Sequence, residues 1–87
     1  MTREQLAAVL VAEVDRWSAK SREQLLTELS DVAAYSAADG AYQVEVEILE
    51  RCEYVHVVVA VDAGSFRRSF NPLCSTFLVH SDGRVEK

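Results

Sequence analysis

The side chains suited to chemistry are two histidines, two cysteines, and acids and bases spread along the chain. Four of these residues come together if Tyr42 to Val61 folds as a hairpin. With Leu49 opposite Tyr54, Glu47 lies across from His56, Glu45 sits one step along, and Arg67 of a following strand reaches over the small Ala60. An acid, a histidine and an arginine so placed could bind an anion or move a proton. Such residues more commonly form cross-strand charge pairs on a solvated sheet face. The expected ligand-binding set is therefore Glu45, Glu47, His56 and Arg67, with no catalytic residue assigned.

Other arrangements carry less. His56 and His80 fall on different expected strands and Cys74 in a loop, so spacing supplies neither a metal site nor a Cys/His nucleophilic pair. The sequence contains no HExxH, CxxC, GxSxG or glycine-rich phosphate loop, and three glycines leave little for a backbone cradle. No metal and no cofactor is expected. Cys52 and Cys74 read as thiols of a reducing compartment rather than a disulfide.

The hairpin that would position the set is the strongest structural signal. YQVEVEILE alternates strictly and YVHVVVAV is dense in β-branched residues. Successive side chains point to opposite faces. Tyr42, Val44, Val46 and Ile48 therefore share one face, and Val55, Val57, Val59 and Val61 join them across the pair. The expected register sets Ile48 against Val55, Val46 against Val57 and Val44 against Val59, with Glu50 to Glu53 as the loop. A one-residue slip would set Glu45 and Glu47 over the valines.

Two helices precede the hairpin. Thr2-Arg-Glu-Gln5 and Ser21-Arg-Glu-Gln24 both have the form of a capping box. Leu6, Val9, Leu10, Val14 and Trp17 then recur at helical spacing, as do Leu25, Leu26, Leu29, Val32 and Ala33. The pattern predicts helices over about 3–18 and 22–37, and Trp17 reads as a core residue. Strands are expected over about 42–50, 54–61, 66–71 and 75–80, with a bulge near Arg67-Arg68 that keeps Arg68 out of the core. Helix, helix, then strands joined by short turns defines an α+β domain: two N-terminal helices packed on a three- to four-stranded antiparallel meander. The runner-up layout has the first helix leaving the body to pack on another subunit.

Length and charge bound the rest. Eighty-seven residues hold one domain and one core. A net charge of −5 argues against nucleic acid and against an anionic membrane surface, and no apolar run approaches the ~20 residues of a membrane span. The N-terminus lacks the pattern of a signal peptide, so a cytoplasmic location is the default expectation. The leading functional expectation is a small acidic, non-catalytic protein-interaction module that self-associates as a homodimer. Its interface would lie on the second sheet face, at Leu49, Tyr54, Val58 and Ala60. Alternatives are a small-molecule-binding or enzymatic domain using the Glu47/His56/Arg67 face, or an acidic inhibitor or antitoxin-like partner of another protein.

Overall fold

A computed structural model describes residues 2–37, 40–63 and 73–87. Both capping boxes form. Helix α1 spans Arg3–Ser18 and opens with the Thr2 hydroxyl accepting from the Gln5 amide at 3.1 Å, while the Gln5 side chain accepts from the Thr2 amide at 2.9 Å. Helix α2, Arg22–Glu28, repeats the exchange between Ser21 and Gln24 at the same two distances. Each box satisfies two of the four amides that a helix start otherwise leaves without an intrahelical partner.

The strands are β1 (Ala33–Ala37), β2 (Tyr42–Arg51), β3 (Tyr54–Ala63), β4 (Leu73–His80) and β5 (Val85–Glu86). They form one antiparallel sheet in sequence order, with β1 and β5 at its edges. The class is α+β, and the described residues form five strands rather than the expected three or four. The expected strand over 66–71, with Arg67 and the bulge, lies outside the described residues.

Burial follows the alternation. Val44, Val46, Val55, Val57, Val59, Val61, Phe77 and Val79 are essentially inaccessible and pack with Leu6, Val14, Trp17, Leu25 and Leu29 of the helical layer. Each such valine contributes roughly 1.5–3 kcal/mol when fully buried, an upper bound for a chain that is already partly collapsed when unfolded. Helix α1 lies against β3 and β4. Trp17 belongs to the core, as its spacing implied.

Two expectations are overturned. The second helix does not run to residue 37: α2 ends at Glu28, and Ala33–Ala37 is an edge strand on β2. Alanine is the strongest helix former, but over so short a stretch propensity is a weak bias, and here tertiary pairing outweighs it. Ala33 and Tyr35 pair with Val46 and Val44 on the core side, whereas Ala34 and Ser36 are exposed on the other.

The hairpin register is also different. Val44 pairs with Val61, Val46 with Val59 and Ile48 with Val57, a slide of two residues from the expected pairing. Past Ile48 the register shifts, with Glu50 opposite His56 and Arg51 opposite Val55, so Leu49 is the extra residue of a bulge. Both strands consequently run further, and only Cys52 and Glu53 remain between them. The bulge reverses the parity of the strand end. Arg51 now lies in register with core-facing Val55, and its Nη2 donates to the Leu29 carbonyl at 3.0 Å, closing the C-terminus of α2.

Candidate functional site

The sheet face opposite the helices carries the sequence-selected residues. Its cross-strand rows, read from β1 toward β5, are Ala34–Glu45–Ala60–Cys74, then Glu47–Val58–Thr76, then Glu50–His56–Leu78–Glu86. Acids thus run along β2, and small or apolar side chains along β3 and β4. Val58, Ala60, Leu78 and Tyr54 are half-buried by their neighbours, while Leu49, at the bulge, is half exposed.

The expected Glu47–His56 pair does not form. Glu47 faces Val58 and Glu45 faces Ala60, because the two-residue slide moves both acids along the strand. Arg67 lies outside the described residues. His56 instead meets Glu50, with Nδ1 to Oε1 at 3.9 Å. The same carboxylate accepts from the Tyr54 hydroxyl through Oε2 at 3.2 Å. Hydrogen bonding with the Cys52 side chain, and then with Glu50, holds the Tyr54 phenol above its ordinary pKa.

A second pair lies alongside. His80 Nε2 is 3.0 Å from Glu86 Oε1, and the Tyr54 and His80 rings meet edge-on with centroids 6.2 Å apart. Glu50, Tyr54, His56, Leu78, Glu86 and Lys87 border an open groove of about 330 Å³. Sequence reasoning missed Glu50, His80 and Glu86 in this role. The expected loop includes Glu50, and only the bulge at Leu49 returns it to the face of His56.

The arrangement sets two imidazole–carboxylate pairs beside an open groove. Each imidazole is engaged by one carboxylate, and no group of three His, Cys, Asp or Glu side chains able to hold a metal occurs among the described residues. Cys52 and Cys74 form no disulfide, and both are exposed. Cys52 lies in the turn before Tyr54 and Cys74 pairs with Ala60, which separates them by roughly 20 Å of strand.

A second polar cluster joins α1 to β1. The Tyr35 hydroxyl donates to Glu13 Oε2 at 2.9 Å and accepts from Trp17 Nε1 at 3.0 Å, while Arg16 Nη1 lies 3.3 Å from both the carboxylate and the hydroxyl. The Arg16 guanidinium also sits 5.6 Å from each of the Trp17 and Tyr35 ring centres. Desolvation by burial, with the Glu13 hydrogen bond and charge adding to it against Trp17 and Arg16, raises the Tyr35 pKa. Glu13 is itself buried.

No protein-family model, curated protein or solved structure matches the chain. Among the described residues, no helix is long and apolar enough to cross a membrane.

Proposed function

We propose that this protein is a non-catalytic interaction module that pairs with a second copy of itself through the outer face of its sheet. The observation that carries the reading is the position of Val58, Ala60 and Leu78. They cluster on the face opposite the helices, and among the described residues no second layer lies over them. Apolar side chains grouped on an open face favour a contact that removes them from water.

Charge favours one geometry. A two-fold axis perpendicular to the strands would stack β2 on its own copy and bring Glu45 and Glu47 toward the partner's equivalents. An axis parallel to the strands and passing over β3 places β2 above the partner's β4, so the carboxylates meet Cys74, Thr76 and Leu78 instead. The second arrangement avoids like-charge burial and leaves Val58 near the axis, in a closed and self-complementary contact. A cytoplasmic setting accords with exposed Cys52 and Cys74 that form no disulfide.

Sedimentation equilibrium tests the reading. Wild type is expected to behave as a dimer at micromolar concentration, and Val58→Glu as a monomer with an unchanged far-UV spectrum. A wild-type monomer at high micromolar concentration overturns it. In that case the acidic stripe of Glu45 and Glu47 would point to a basic partner protein, the inhibitor-like alternative.

A further inference from the structure

We infer that the free edge of β1 is a docking edge that takes up an extended, basic segment of a partner protein as a sixth strand. Its backbone ladder is distinct from the sheet face assigned to self-association, and Glu45 borders both.

The two edges of the sheet are built differently. The β5 edge is two residues long, Val85–Glu86, and is flanked by Arg84 and Lys87, the short and charged form with which proteins discourage unwanted pairing. The β1 edge is five residues long and reads Ala-Ala-Tyr-Ser-Ala. It has no charge, proline or bulge to protect it, and among the described residues β2 is its only neighbour in the sheet. Backbone amides and carbonyls on its other side are in position to continue the ladder.

The strand is also held ready. Tyr35 is tied to Glu13 and Trp17 of α1 by the hydrogen bonds described above, so the edge is fixed before any partner arrives. Preorganisation of this kind lowers the ordering cost of binding. Helix α1 packs mainly over β3 and β4 and reaches β1 through Glu13, Arg16 and Trp17 at the Tyr35 hydroxyl. A groove of about 300 Å³ lies there, lined by Ala34, Tyr35, Ser36 and Gln43.

Charge and side-chain size select the occupant. On the outer face Ala34 pairs with Glu45 and Ser36 with Gln43, and exposed Asp31 stands just before the strand. A residue added opposite Ala34 sits two strand spacings, roughly 10 Å, from Glu45. A Lys or Arg at that place lays its stem across the Ala34 methyl and brings its cation to the Glu45 carboxylate. On the core-facing side, an apolar residue of the incoming strand lies beside Ala33 and Tyr35. The recognised segment therefore alternates basic and apolar residues over about five positions. A second copy of this chain fits the edge less well, since it would bring its own net charge of −5.

The test uses a synthetic seven-residue peptide alternating lysine and valine, titrated into isotope-labelled protein and followed by amide chemical shifts. A control peptide of the same charge carries proline at its centre and cannot complete the ladder. The expected result is saturable binding with shifts centred on residues 33–37, and no such shifts with the control. Ala34→Lys should weaken binding about tenfold by setting like charges side by side, and Glu45→Gln should weaken it severalfold with a shallower salt dependence. Equal affinity for the two peptides overturns the inference, as does an absence of saturable binding at millimolar peptide. So do shifts confined to Val58, Ala60 and Leu78, which would locate the peptide on the self-association face. The mass of the free protein is read separately, so failure of the dimer and failure of the docking edge are distinguishable.

Discussion

The Tyr35 hydroxyl donates to the buried carboxylate of Glu13 at 2.9 Å, linking an edge strand to a helix 22 residues upstream. A buried carboxylate is costly unless its oxygens are hydrogen-bonded, and Tyr35 supplies the shorter of the two bonds that reach Oε2. Tyr35→Phe keeps the ring and removes this donor. It also leaves Trp17 Nε1 without its acceptor. The substitution is expected to cost about 1–3 kcal/mol, the range for leaving buried polar groups unsatisfied. Urea denaturation of the two proteins checks this, and an unchanged midpoint would show that water replaces the hydroxyl at no cost.

How much of this was legible depends on which pattern each residue belonged to. The inward valines of β2 and β3 could be read directly, because period-two alternation admits only one choice of buried face. Their register could not, since a two-residue slide keeps every side chain on its face and leaves the hydrophobic pattern unchanged. Only the turn distinguishes the two pairings, and nothing in Glu50-Arg51-Cys52-Glu53 marks Leu49 as a bulge. That single residue moved Glu50 beside His56, while the two-residue slide carried Glu47 away from it. Tyr35 was hidden for a different reason. Ala33 to Ala37 suits a helix as well as a strand, and Ser30-Asp31 is a weak stop beside the Asp39-Gly40 further on.

Val57 tests the assignment of faces. It is inaccessible to solvent, at the centre of β3, between Ile48 and Phe77 on the neighbouring strands. Val57→Ala is expected to cost about 1–3 kcal/mol through lost burial and the cavity left behind. Thr76→Ala, exposed on the opposite face, should change stability by no more than about 0.5 kcal/mol. A larger effect at Thr76 than at Val57 would mean that the two faces are reversed.

Helix α2 depends on its ends. Seven residues are well below the roughly 12–15 at which an isolated helix becomes even marginal, so capping and the burial of Leu25 and Leu29 must hold it. Removing the hydroxyl that accepts from Gln24, by Ser21→Ala, is expected to cost about 1 kcal/mol. Ser21→Asp should retain most of the stability, because a carboxylate caps equally well and favours the positive end of the helix dipole. Faster hydrogen exchange at the Gln24 amide in Ser21→Ala, and not in Ser21→Asp, is the local signature. Equal exchange in both variants would assign the helix to packing alone.

The turn from β4 into β5 is expected to make part of the stability depend on pH. Asp82 Oδ1 accepts from the Arg84 amide at 2.9 Å, and this bond is the main cause of a lowered Asp82 pKa, which the Arg84 and His80 charges reinforce. Gly83, at φ +90°, lets the chain turn between them, while the His80 amide donates to the Arg84 carbonyl at 2.8 Å. A carboxyl whose pKa is lower folded than unfolded binds fewer protons in the folded state. Its contribution is therefore complete above the unfolded value of ~3.9 and is lost as pH falls through the folded value. Against Asp82→Ala, wild type should show a higher urea midpoint at neutral pH, with a gap that closes between about pH 5 and pH 2. Asp82→Asn keeps an acceptor oxygen but no titrating group, so its own stability should lack this pH dependence. A wild-type advantage over Asp82→Ala that persists undiminished at pH 2 would show that the turn is held by shape rather than by the ionised carboxylate.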